Sequence, residues 1–196
     1  MTVQKKLYSS PPCDRREIAR YAGCRDDGCG IYPLIDGCLA QAEENLSYCV
    51  VWCEVNISVD YPSVHFPFGD YESEKLCRFL GGCSKAVIFV ATVGQKYDRL
   101  LAREKILSPA RSVIFQAIGS ERVEALCDVF CEDIKNYYPD CETISRFSPG
   151  YGGLSLEMQK EIIPLLRCPA LAGVTLSDSL MMSPSKTVSA IIGIKG

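Results

Sequence analysis

An unbroken apolar run at residues 85–93, KAVIFVATV, constrains the fold more than any other segment of the chain. Gly82 and Gly94 bound the run, and its valines, isoleucine and phenylalanine favour extended backbone. These features predict a buried β-strand. A helical pattern precedes the strand and another follows it, which places the strand between two helices along the chain.

The residues before this strand predict further helices and one long extended segment. Asp14 can cap a short helix over residues 14–23, and turn residues fill a connector at 24–33. Residues 34–47 repeat apolar side chains at helical spacing. They lead into a strand-like stretch at 48–60.

The remaining segments mix the two kinds of structure. Residues 61–70 hold two prolines and a glycine, which predicts a loop or a sheet edge. Residues 108–138 show two helical patterns almost end to end, with Ser120 as the cap of the second. A helix over 155–166 and a closing strand at 187–196 complete the chain. Because the elements do not alternate regularly, the fold class is predicted to be α+β.

Charge and hydropathy exclude several partners. The 21 basic and 24 acidic residues give a net charge of −3 and are scattered along the chain, so we expect neither nucleic acid nor an anionic membrane surface as a partner. The N-terminus lacks the apolar core of a signal peptide, and the longest apolar run is too short to span a bilayer. We therefore expect a cytoplasmic protein.

Twelve cysteines raise the question of disulfides or a metal site. A chain of 196 residues can fold without disulfide bonds, so free thiols are the favoured interpretation. No CxxC motif occurs and His65 is the only histidine, so no metal site is predicted. A thiol-rich redox or metal-binding protein stays open as an alternative.

The segment SRFSPGYGGLS, residues 145–155, combines an arginine, a proline, three glycines and a tyrosine. This composition suits a rigid backbone that approaches a ligand closely. It is equally typical of a Pro-Gly turn and a Gly-Gly joint before a helix that Ser155 caps. The residues alone leave both interpretations open.

Two ordered motifs resemble the reactivation domain of cobalamin-dependent methionine synthase. RFSPGYG, from Arg146, matches that family's RxxPGY pattern, and residues 176–194, LSDSLMMSPSKTVSAIIGI, are similar to its second hallmark through Ser179, Met182 and Pro184. The resemblance extends more weakly over residues 75–196. It implies a single α+β domain with helices around a twisted, mainly antiparallel sheet. Residues 71–196 would form the core and 1–70 a helical and extended segment packed on it, together one compact unit.

The resemblance also implies a binding site for S-adenosylmethionine. Arg146 would pair with the carboxylate of the ligand, as a planar guanidinium suits. Glu124, or Asp128 one turn later, would hold the ammonium. An aspartate that longer family members use near the domain start has no counterpart that the sequence identifies. The adenine and the amino-acid end would contact the segment Phe147, Ser148, Pro149, Gly150 and Tyr151.

The function that this implies is reductive remethylation of a spent corrinoid in methionine biosynthesis. A flavodoxin-like or other one-electron donor reduces the cobalt, which then takes the methyl group of S-adenosylmethionine. No acid–base pair or nucleophile is needed, so no catalytic residue is predicted. The corrinoid would lie on a separate cobalamin-binding methionine synthase subunit. A noncatalytic S-adenosylmethionine-binding protein is the second alternative.

Overall fold

The computed structural model describes residues 1–24 and 30–196. The middle of the predicted connector, residues 25–29, lies outside the described residues. The strands, in chain order, are β1 Gln4–Tyr8, β2 Tyr48–Asn56, β3 Ser58–Asp60, β4 Ser63–Phe66, β5 Gly69–Glu72, β6 Lys85–Thr92, β7 Glu142–Phe147, β8 Thr175–Leu176, β9 Met182–Ser183 and β10 Thr187–Lys195. The helices are α1 Arg15–Tyr21, α2 Tyr32–Glu43, α3 Glu74–Phe79, α4 Gln95–Leu107, α5 Pro109–Tyr137, α6 Gln159–Leu165 and α7 Cys168–Ala172.

A five-stranded sheet, counted over the described residues, organises the fold in the order β1-β2-β6-β10-β7. Every neighbouring pair in it is antiparallel. The prediction of a buried strand at KAVIFVATV is confirmed, because β6 is the middle strand and its residues 86–92 are buried. The α+β fold class and the mainly antiparallel sheet are confirmed as well. Strand β7 forms one edge of this sheet.

The two faces of the sheet are covered by different elements. Val87, Phe89 and Ala91 of β6 face a core shared with α1, α2, α4 and α5. Ile88 and Val90 face the opposite core, to which α3, α6 and the small β3-β4-β5 sheet contribute. Successive side chains of a strand point to opposite faces, so a continuous apolar strand requires a covered sheet on both sides.

Helix α5 is a single helix of 29 residues, and the prediction of two helices with Ser120 as a cap is wrong. The Ser120 hydroxyl donates to the Gln116 carbonyl at 3.1 Å, within the helix. Gly119 is required for packing, since a Cβ there would lie 2.5 Å from Cε1 of Tyr97. The glycine therefore allows α4 to pack closely against the middle of α5.

Most other segments follow the sequence predictions. Asp14 caps α1, accepting from the backbone N–H of Arg16 at 2.8 Å. The helix predicted over 155–166 is a 3-10 turn, Leu156–Met158, continued by α6. The loop or edge predicted at 61–70 is wrong for β4, which is the central strand of the small sheet.

Within residues 1–24 and 30–196, no helix combines the length and the hydropathy that a membrane span requires.

Candidate functional site

Arg146 lies on the edge strand β7 and points toward α5. In the sheet it lies directly opposite Ile192 of the neighbouring strand β10, and the Ile192 side chain belongs to the core on the α5 side. Its Nη1 donates to a carboxylate oxygen of Asp128 at 2.5 Å, and its Nη2 donates to a carboxylate oxygen of Glu124 at 2.5 Å. The structure therefore brings together the arginine and both carboxylates that the sequence offered as alternatives.

The helical repeat explains why both acids reach the same cation. Glu124 and Asp128 are four residues apart on α5, so their side chains share one face of the helix. Burial alone would lower the pKa of the Arg146 guanidinium, but the neighbouring Cys127, Asp128 and Glu124 raise it above its ordinary value. Arg146 is thus a fixed cation held by two anions.

Two clefts meet at Arg146 and Asp128, which line both. One has a volume of about 810 Å³ and runs between the second half of α5 and β7. The other, of about 380 Å³, is bounded by the N-terminal segment and carries five carboxylates: Asp14, Glu17, Glu121, Glu124 and Asp128. Arg146 is the only cation that lines this acidic cleft in the part of the chain that the structure describes.

A buried ion pair fixes the N-terminal wall of the acidic cleft. The fully buried Arg122 donates from Nε to Glu121 at 2.6 Å, and its Nη1 and Nη2 donate to the carbonyls of Pro11 and Pro12, both at 2.7 Å. Glu121 in turn accepts from the backbone N–H of Asp14 at 2.9 Å. This contact was not predictable from the sequence, because Arg122 resembles any polar residue of an amphipathic helix.

The residues after Arg146 turn to the other face of the sheet. Phe147 pairs with Ile191 and is buried in the core opposite α5. Its ring centroid lies 5.1 Å from that of Phe79 and 5.7 Å from that of Tyr151. Tyr151 is 66% exposed, and the Lys75 ammonium lies 5.7 Å from its ring centroid. The motif therefore wraps the sheet edge, with Arg146 on one face and the Tyr151 ring on the other.

The backbone of this turn is fixed from within. The N–H of Gly150 donates to the Leu154 carbonyl at 2.8 Å, and the N–H of Tyr151 donates to the Ser148 carbonyl at 3.2 Å. Pro149 is buried and Ser148 half-buried. The backbone N–H groups of Gly150 and Tyr151 are thus already engaged within the turn. A ligand at this turn would have to bind to other atoms.

Three residues of the second hallmark, Ser179, Met182 and Ser189, lie apart from Arg146. Ser189 is buried on the face opposite α5, where its hydroxyl accepts from the side-chain amide of Gln159 at 3.2 Å. Met182 belongs to the short strand β9, and Ser179 shares a hydrogen bond of 2.9 Å with Ser177. None of these residues lines either of the two clefts at Arg146.

Most cysteines lie in the two cores. The buried ones are Cys38, Cys49, Cys53, Cys77, Cys83, Cys127 and Cys168. Burial raises the pKa of Cys53 to about 11 and that of Cys168 to about 12, so both stay protonated at neutral pH. Over the described ranges, no group of three or more histidine, cysteine, aspartate or glutamate side chains is arranged to hold a metal ion.

This chain is similar to known proteins in its three-dimensional structure, whereas comparisons of its sequence find no match. No family model matches the chain. No curated protein sequence matches it either. A solved structure of the MetH reactivation domain bound to AdoHcy superposes with a TM-score of 0.73 and 16% sequence identity, covering 98% of this chain and 78% of that one. The fold that the RFSPGYG resemblance predicted is thereby confirmed: this chain folds like the MetH reactivation domain.

Proposed function

We propose that the chain binds S-adenosylmethionine at Arg146 and supports remethylation of a corrinoid on a separate protein. The observation that carries the proposal is the contact of Arg146 with Glu124 at the acidic cleft, at the start of the RFSPGYG turn. The likeness to a domain solved with AdoHcy supports it.

The charges around Arg146 fit this ligand. S-adenosylmethionine carries one carboxylate, one ammonium and one sulfonium. A site for it therefore needs one cation for the carboxylate and anionic groups near the two positive charges. Arg146 offers a guanidinium to the carboxylate, and Glu124 offers a carboxylate to the ammonium. Asp14 and Glu17 line the same cleft. Either could take the place of the aspartate near the domain start that longer family members use and that the sequence did not identify here. Tyr151, beyond the sheet edge, offers an exposed ring to the nucleoside.

The proposed partner is a cobalamin-binding methionine synthase subunit, together with a flavodoxin-like or other one-electron donor. When bound, S-adenosylmethionine supplies its methyl group to the reduced corrinoid and leaves as S-adenosylhomocysteine. The residues of this chain bind and orient the methyl donor, which lowers the entropic cost of bringing the two cofactors together.

Isothermal titration of S-adenosylmethionine tests the binding step. We expect Arg146→Ala to weaken binding on the order of 10- to 100-fold, because the ligand carboxylate loses a charge-assisted hydrogen bond. Arg78→Ala is the matched control, since Arg78 is an exposed arginine paired with Glu74 on α3. Equal affinities of the wild type and Arg146→Ala would refute the assigned site.

The same titration with a cobalamin-loaded subunit that lacks its own reactivation domain separates the proposed function from its noncatalytic alternative. Tighter binding of S-adenosylmethionine in the presence of that subunit supports the reactivation function. Identical affinity with and without the subunit favours a noncatalytic S-adenosylmethionine-binding protein.

A further inference from the structure

Arg146 already holds two carboxylates of its own chain. Nη1 is engaged by Asp128 and Nη2 by Glu124, each at 2.5 Å. A ligand carboxylate that binds the same guanidinium must take over at least one of these contacts, because two anions at one donor group repel each other. Ligand binding at Arg146 is therefore an exchange of ion pairs.

The two internal carboxylates differ in how easily they leave. The Asp128 side chain is 71% exposed and that of Glu124 42% exposed, while that of Arg146 is only 24% exposed. A released Asp128 carboxylate is therefore readily hydrated, and an exposed ion pair is weak. Glu124 lines only the acidic cleft, whereas Asp128 lines both clefts. The Asp128 side chain can therefore rotate away from Arg146 into the larger cleft.

We infer that Asp128 is a built-in competitor for the carboxylate end of the ligand and so a specificity-determining residue of the site. The inference rests on the proposed function. Asp128 occupies the Nη1 end of Arg146 in the free protein and yields it to a carboxylate that other contacts hold in place. A ligand without a carboxylate leaves the Arg146–Asp128 pair intact.

Titrations of two ligands test this inference. S-adenosylmethionine and decarboxylated S-adenosylmethionine, which lacks the carboxylate, are titrated into the wild type and into Asp128→Asn. We expect Asp128→Asn to bind S-adenosylmethionine about two- to fivefold more tightly, the range that the loss of one exposed ion pair supports. Binding of the decarboxylated ligand should not tighten, because that ligand does not displace Asp128.

Glu132→Gln is the matched control, since Glu132 lies four residues further along α5, borders the larger cleft and pairs with Lys135 rather than Arg146. An equal gain in Glu132→Gln would mean a general effect of charge and would overturn the inference.

Unchanged or weaker binding of S-adenosylmethionine by Asp128→Asn would also overturn it and would make Asp128 a bystander or a contact of the ammonium. If neither the wild type nor Asp128→Asn binds S-adenosylmethionine, the proposed function itself fails, and this inference fails with it.

Discussion

Gly152 shows at the residue scale how the turn after Arg146 keeps its shape. Its φ is +59°, and a Cβ there would lie 2.8 Å from Cζ of Phe147, a ring that Phe79 and Tyr151 already enclose. The neighbouring Gly153 also has a positive φ, of +85°, but a Cβ there would meet nothing within 4 Å. Positive φ disfavours a side chain at either position, and only Gly152 adds a steric conflict.

We therefore expect Gly152→Ala to lower the free energy of unfolding by about 1–3 kcal/mol more than Gly153→Ala does, because the Phe147 ring must move to make room. Urea denaturation of both variants measures the difference. Equal losses would show that the Phe147 ring gives way freely and does not fix the turn.

Single residues also show where sequence reasoning succeeds and where it fails. Arg146, Glu124 and Asp128 were named from the family resemblance, and the structure brings the three side chains together, while their role in binding a ligand stays a prediction. Ser120 was misinterpreted as the cap of a second helix, since a sequence does not distinguish a serine that begins a helix from one inside a longer helix. The contact of Gly119 with Tyr97 of α4 is likewise one that no local pattern indicates.

At the scale of elements, α5 carries the site and Arg122 ties the N-terminal segment to it. The buried guanidinium donates to Glu121 and to two proline carbonyls. The two carbonyl contacts span more than 100 residues, and no local pattern in the sequence signals them. Strands and helices follow from local periodicity, but contacts between distant segments do not. The walls of the acidic cleft were therefore beyond prediction.

Removal of this guanidinium should be costly. We expect Arg122→Met to lower the free energy of unfolding by about 3–5 kcal/mol, because Glu121 and two carbonyls would lose their buried partner. The double variant Arg122→Met with Glu121→Gln should recover part of the loss, since no unpaired charge stays buried. Urea denaturation checks both variants. A loss below about 1 kcal/mol in Arg122→Met would contradict the structural role of the pair.

At the scale of the whole molecule, strands from residues 1–70 and from residues 71–196 build one sheet. β1 and β2 come from residues 1–70, and β6, β7 and β10 from residues 71–196. The sheet sets Arg146 on its edge strand, beside a helix that supplies two carboxylates and an N-terminal segment that supplies more. The site thus depends on the whole fold.

Transfer of labelled methyl from S-adenosylmethionine to cobalamin would show whether this protein supports remethylation of a corrinoid. The reaction would contain a cobalamin-loaded methionine synthase subunit without its own reactivation domain, a reduced flavodoxin, and either this protein or Arg146→Ala. We predict labelled methylcobalamin and S-adenosylhomocysteine in equal amounts with the wild type, and a loss on the order of tenfold or more with Arg146→Ala at subsaturating S-adenosylmethionine. Methyl transfer that is the same with and without this protein would mean that the protein does not support remethylation.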